Sequence, residues 1–329
     1  MVWDTKVGGK EYLTEAAELI RRGEVVAFPT ETVYGLGANA LDEKAVEKIY
    51  IAKNRPKDNP FIVHVTDLDN AEKAAFVTDE AARLFAKFSP GPLTVVLKKK
   101  ECVPYIVTAG LETVGIRIPS HPLCREFLAL CDRPVAAPSA NVSKRVSPTE
   151  AEYVYEDMKG RIPLILDGGR CDVGIESTVI SLAGEVPTIL RPGIITAEEL
   201  AEVLGRVKTH TGEVKVAQAP GMKYRHYAPT VPCMLYRNPV DAMNYYDEEV
   251  KNGKHPVIFA RSANKTLFGD RNTVDMGCDG KEIAHNIFHL LRYYEKKNDA
   301  ILIEALSETG EEGAVMNRIE KSCDGKYLS

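Results

Sequence analysis

Three cations in five residues, Lys53, Arg55 and Lys57, fall at a helix-to-strand connection that runs through Asn59-Pro60 to His64, near the end of the next strand. Arginine forks and lysine ammonium groups are natural partners of phosphate oxygens. The chain carries no Walker-type glycine loop, so a bound triphosphate would have to be held largely by side chains. Taken alone, the run reads equally well as a solvated basic loop.

Further clusters shift that balance. Thr113 to Arg117 puts an arginine on an otherwise apolar strand, where burial without an anionic partner is costly. Ser139-Ala140-Asn141, with Ser147 just beyond, offers hydroxyl and amide donors to phosphate or carboxylate oxygens, and Ser177 and Arg191 add another hydroxyl and another arginine at strand ends. Each has an ordinary reading as a turn or an ion pair. Their joint occurrence points to an anion site. Pro29 to Ala38 places polar residues directly after a buried strand, where open α/β sheets hold ligands. Gly35 to Ala40 formally fits G-x-G-x-x-A, but six residues separate strand and glycine and no acidic residue ends a strand about 20 positions on, so a dinucleotide site fits poorly.

These residues must be carried by a scaffold. From residue 11 to about 205, short β-branched runs alternate with amphipathic stretches, the pattern of a mixed α/β domain. Strands are predicted over 25–28, 61–65, 93–97, 114–118, 164–166, 178–182 and 188–190, and helices over 11–22, 42–54, 78–88, 121–130, 148–157 and 196–204. Few regular β-α-β crossings imply a mixed sheet. Residues 206–232 break the pattern with Pro and Gly, yet Met222-Lys223-Tyr224-Arg225-His226-Tyr227 carries more aromatic and cationic groups than an idle linker needs, so a functional loop or lid is expected. Beyond it, strands at 233–236, 257–260 and 300–304 between helices at 239–251 and 280–296 form a compact βαβ-type unit. The expected organisation is a domain at 1–205, a linker or lid at 206–232 and a small α/β domain at 233–329.

A net charge of -5 argues against a protein that coats nucleic acid, so no stable nucleic-acid binding is expected. Met1 to Lys10 lacks a signal-peptide core and no stretch approaches a membrane span, which predicts a cytoplasmic protein without a membrane partner. Seven cysteines occur without a C-x-x-C pair or metal spacing, so they read as reduced thiols, most of them small core residues, and no side-chain metal site is predicted.

Thr-Glu-Thr-Val-Tyr-Gly-Leu at 30–36, Lys53-x-Arg55, Asn59-Pro60, Arg117-Ile118-Pro119, Ser139-Ala140-Asn141, Ser177-Thr178 and Arg191-Pro192-Gly193 together resemble the threonylcarbamoyl-AMP synthase family, whose catalytic unit is the YrdC-like domain. Pro220 to Tyr227 and the tail after it resemble the family's long form. The resemblance implies a YrdC-like mixed twisted sheet with helices around a concave basic cavity, and a small Rossmann-like C-terminal domain. It implies ATP, L-threonine and bicarbonate as substrates, threonylcarbamoyl-AMP and pyrophosphate as products, and magnesium bound mainly through the ATP phosphates. The product would serve the threonylcarbamoyladenosine modification of tRNA next to the anticodon, through a downstream tRNA threonylcarbamoyl-transferase machinery. By the same resemblance, Thr32, His64, Arg117, Ser177 and the backbone at Ala137 line the threonine side. Lys53, Arg55, Asn59, Thr113, Ser139, Asn141, Ser147 and Arg191 hold the nucleotide, with Tyr227 closing over it. Lys53 and Arg55 are the expected catalytic pair, stabilising phosphate charge.

Two other readings stand beside this one. A non-enzymatic RNA-binding module could use the same basic concavity. A carbamoyl-transfer enzyme of hydrogenase maturation shares the YrdC-like domain, but normally with zinc-finger modules whose paired cysteines this chain lacks.

Overall fold

A computed structural model describes residues 2–210 and 227–328, so Pro220 to His226 of the linker motif lie outside the described residues. The chain forms two units. The second takes in Lys144–Ser147, Val173–Ile175 and everything described from residue 227 on; the first holds the rest.

In the first unit, the apolar runs form β1 (Lys6–Gly8), β2 (Val26–Phe28), β3 (Gly35–Asn39), β4 (Ile62–His64), β5 (Leu93–Lys98), β6 (Thr113–Arg117), β7 (Val135–Ala137), β8 (Leu164–Leu166), β9 (Thr178–Ser181), β10 (Thr188–Arg191) and β11 (Lys208–Thr209). They make one sheet in the order β1-β8-β2-β3-β7-β4-β6-β5-β9-β10-β11. Pairings such as β4 with β6 are parallel and β5 with β6 antiparallel, so the sheet is mixed, as the pattern predicts. Its strands are almost all buried, because helices such as Leu13–Arg21, Glu43–Lys53 and Pro122–Cys131 lay apolar stripes on it.

The largest departure from the sequence reading is β3. Gly35 to Asn39, not among the strands predicted above, pairs antiparallel with both β2 and β7. Glycine is admitted here by crowding: a Cβ on Gly37 would lie 2.7 Å from both Phe28 and Val135. Gly37→Ala is therefore expected to destabilise the protein by about 1–3 kcal/mol, measured by urea denaturation. The helix Leu68–Ala74, also absent from that reading, starts where Asp67 accepts a hydrogen bond from the Asn70 amide at 2.8 Å.

The second unit has a wholly parallel sheet of Cys233–Tyr236, Ala300–Glu304, Pro256–Ala260 and Thr273–Asp275, in that spatial order. Its helix Gly280–Tyr294 holds the two early segments. Arg292, fully buried, donates from Nε to the Val146 carbonyl at 3.0 Å. Glu295, just past the helix, pairs with Arg145 at 2.6 Å and accepts from the Thr230 amide at 2.6 Å. Gly174, at φ +81, sits so close that a Cβ would come 2.3 Å from the Ala284 carbonyl oxygen. These contacts are why the unit is discontinuous in sequence rather than divided at residues 205 and 233. Ser147 and Tyr227 belong to it, and the Tyr227 ring stacks on Phe288 at 5.1 Å between centroids. Among the described residues no helix is long and apolar enough to cross a membrane.

Candidate active site

Lys53 is positioned by the end of its helix. Asp42 caps the start, accepting from the Lys44 and Ala45 amides at 2.9 and 3.3 Å, and Asn54 ends it in the left-handed region at φ 50. That turn leaves Lys53 almost fully buried, where its ammonium donates to the carbonyls of Ser139 and Asn141. The Lys53 carbonyl accepts from the Ser143 amide at 3.0 Å, and Ser139 Oγ donates to Asn141 Oδ1 at 2.5 Å. The Ser-Ala-Asn turn is thus wrapped around a lysine. Arg55, half-buried, donates to the Asn59 carbonyl at 3.3 Å and lies 5.2 Å over the Phe61 ring. Lys57 turns outward and pairs with Glu47, exposed, at 2.6 Å.

A second cluster is set by register. His64 and Arg117 are neighbours at the ends of parallel β4 and β6, and Arg117 faces Thr94 across antiparallel β5. Thr94 Oγ1 lies 2.8 Å from Ser177 Oγ. Arg191 donates to the Ser177 carbonyl from Nε at 3.1 Å and from Nη2 at 3.0 Å, and to Ser177 Oγ at 3.1 Å. Arg117 forms a buried ion pair with Glu31 at 2.8 Å, and the other Glu31 oxygen accepts from the Ser120 amide at 3.1 Å. Ala137 ends β7, which runs antiparallel beside β4.

The Thr30–Tyr34 stretch connects the clusters. Thr32 Oγ1 lies 2.8 Å from Thr30 Oγ1, next to Glu31, while the Tyr34 carbonyl accepts from the Ala140 amide at 2.8 Å and Gly35 pairs with Ser139. Thr113 stands apart. It begins β6, about 13 Å from Arg117 at the other end of the strand, and lines a groove with Leu111, Ser181, Thr188 and His210.

Sequence reasoning named the motif at 30–36 but gave Thr30 and Glu31 no role, and it missed Thr94. The signal for Glu31 was available: a buried arginine on an apolar strand demands an acid, and Glu31 stands between two threonines at a strand end. Thr94 was hidden inside an apolar run. Even with Glu31 in place, Arg117 Nε is buried and has no hydrogen-bond partner among the described residues. A buried donor left unmade costs about 1–3 kcal/mol, which a bound anion would recover.

Burial, and then the Arg117 guanidinium, push the His64 imidazole from 6.5 down to about 3. Below pH 6.5 the unfolded chain takes up a proton that the folded chain refuses. Stability from this group is therefore present above pH 6.5 and lost as pH falls toward about 3. The limiting slope for one proton is about 1.4 kcal/mol per pH unit. Urea denaturation of the wild type and His64→Gln across that window should show the variant losing less stability per unit.

A family profile described as telomere recombination, covering Sua5, YciO and YrdC, matches residues 18–193, and one described as the threonylcarbamoyl-AMP synthase C-terminal domain matches 195–323. The chain is 44% identical over 318 residues to threonylcarbamoyl-AMP synthase of Pyrococcus abyssi, spanning 93% of this chain and 92% of that one. It is 41% identical over 326 residues to the synthase of Bacillus subtilis, spanning 96% and 94%. The crystal structure of P. abyssi Sua5 complexed with L-threonine superposes at a TM-score of 0.91 and 40% identity, covering 100% of this chain and 99% of that one. Both halves match and the fold agrees throughout, so the chain belongs to the threonylcarbamoyl-AMP synthase family.

Proposed function

We propose that the strand-end clusters of the first unit join L-threonine, bicarbonate and ATP into threonylcarbamoyl-AMP and pyrophosphate, the synthase activity of the family. The observation that carries this reading is the buried Arg117, whose Nε lacks a partner among the described residues and which sits beside His64 and Thr94. An amino-acid carboxylate fits that donor. A relative solved in complex with L-threonine adds support for threonine as a substrate.

In chemical terms, the neutral amine of threonine adds to the carbon of bicarbonate, or of the carbon dioxide that bicarbonate and a proton give with loss of water; the net products are a carbamate and one water. A carbamate oxygen then attacks the α-phosphorus of ATP, and pyrophosphate leaves with the electron pair of the broken bond. Two unit charges about 4 Å apart repel by roughly 4 kcal/mol at an effective dielectric near 20, so the two anions meet only among compensating cations. Lys53 and Arg55 are assigned to the phosphates, with Ser139, Asn141, Asn59 and Arg191 fixing the nucleotide. Thr32, Ser177, His64 and the backbone at Ala137 are assigned to threonine. Catalysis of this kind is positioning, charge stabilisation and exclusion of water from a labile carbamate. Thr113 could meet only an extended ligand, and Ser147 and Tyr227 are described with the second unit.

Magnesium would offset phosphate charge from the triphosphate oxygens. Among the described residues no three His, Cys, Asp or Glu side chains gather around a common point, and Glu31 is already committed to Arg117. The product, a mixed anhydride of a carbamate and AMP, suits hand-over to a tRNA threonylcarbamoyl-transferase.

Incubation with ATP, bicarbonate and isotope-labelled threonine should yield a threonine-containing adenylate by mass spectrometry, with pyrophosphate in equal amount. ATP turnover without that adenylate, or RNA affinity without ATP turnover, would sink the reading.

A further inference from the structure

We propose that Cys233 and Cys323 are a disulfide-forming dithiol, an oxidation site that locks the second unit. Cys233 opens the first strand of that unit and Cys323 caps the end of its last helix, Gly310–Ser322. They are 90 residues apart in sequence, yet their buried sulfurs lie 2.9 Å from each other. A disulfide bond is about 2.05 Å long, so forming it asks for a further approach of less than about 1 Å. The backbone around the pair is already laid side by side. Leu235 donates its amide to the Lys326 carbonyl at 2.8 Å, and the Leu328 amide returns to the Leu235 carbonyl at 2.8 Å.

The other cysteines lack this arrangement. Cys124, Cys131 and Cys171 are buried in the first unit, where desolvation pushes each thiol up, Cys131 to about 12. Cys102 and Cys278 are exposed, and the Cys102 thiol donates to the Lys73 carbonyl at 3.1 Å.

The oxidant required is a low-molecular-weight disulfide. The Cys233 thiolate, the more exposed of the pair at 7% against 1%, attacks one sulfur of that disulfide and expels a thiolate. The Cys323 thiolate then attacks the Cys233 sulfur, forming the internal bond and expelling the second small thiolate. Two electrons pass from the protein to the small disulfide, and the two protein thiol protons end on the released thiols. The product closes a loop that contains nearly the whole second unit, and long loops gain most from such a link.

The test uses the full chain with Cys102→Ser and Cys278→Ser, which removes the exposed thiols. The protein is equilibrated in oxidised and reduced glutathione buffers, alkylated, digested and mapped, and its melting is followed by calorimetry. The expected result is loss of two thiols, a peptide joined through Cys233 and Cys323, and a rise in melting temperature of roughly 5–15 °C over the reduced form. Adding Cys323→Ser, or Cys233→Ala should the first variant fail to fold, should abolish both the joined peptide and the rise. The comparison of oxidised with reduced parent needs neither variant. A glutathione adduct at Cys233 alone, a different joined pair, or a joined pair with unchanged melting overturns the proposal. None of these readouts involves ATP or threonine.

Discussion

Arg117→Met should lose about 3–5 kcal/mol of stability and all measurable threonine-dependent pyrophosphate release. The stability loss follows because the substitution strands the Glu31 carboxylate, buried and 2.8 Å from the missing guanidinium, without its counter-charge. The activity loss follows from the proposed role of Arg117 on the threonine carboxylate. A second substitution separates the two effects. In Arg117→Met/Glu31→Gln the orphaned charge is gone, so urea denaturation should recover most of the lost stability while activity stays absent. A double variant that regained activity along with stability would reduce Arg117 to a structural residue.

Arg55→Ala should behave in the opposite way. Arg55 is only half-buried, so its loss should cost far less stability than that of Arg117, about 1 kcal/mol. Removing one preorganised charge from a reacting phosphate typically costs about 10²–10³-fold in rate. Pyrophosphate release with saturating ATP, bicarbonate and threonine is the measurement, and Arg55→Lys should fall between, since an ammonium keeps the charge but loses the fork. An unchanged rate for the Ala variant would remove Arg55 from the chemistry.

What could be read from the chain was local. Leu164–Leu166 and Ala300–Glu304 lie at their predicted bounds, and Asp42 and Asn54 mark the ends of their helix, because an apolar run or a cap carries its own signal. β3 could not be read that way. Gly-Leu-Gly-Ala-Asn has poor strand propensity, and only the tight approach of Phe28 and Val135, made by other strands, requires those glycines to extend. The site divides along the same line. Lys53, Arg55 and Arg191 announced themselves as cations gathered at the ends of helices and strands, and Arg117 as a cation on an apolar strand, where burial is expensive. Their partners, Glu31 for Arg117 and the Ser139 and Asn141 carbonyls for Lys53, come from elements distant in sequence and emerge only with the register. The grouping of 144–147 and 173–175 with the C-terminal residues had no local mark at all.

That grouping bears on how the molecule is made. Arg145 and Glu295 are 150 residues apart in the chain, so a ribosome delivers the first long before the second. Synthesis favours early elements folding first. The contacts of these two short early segments with the helix Gly280–Tyr294 can form only after that helix has been translated, so the second unit is expected to complete itself by capturing them.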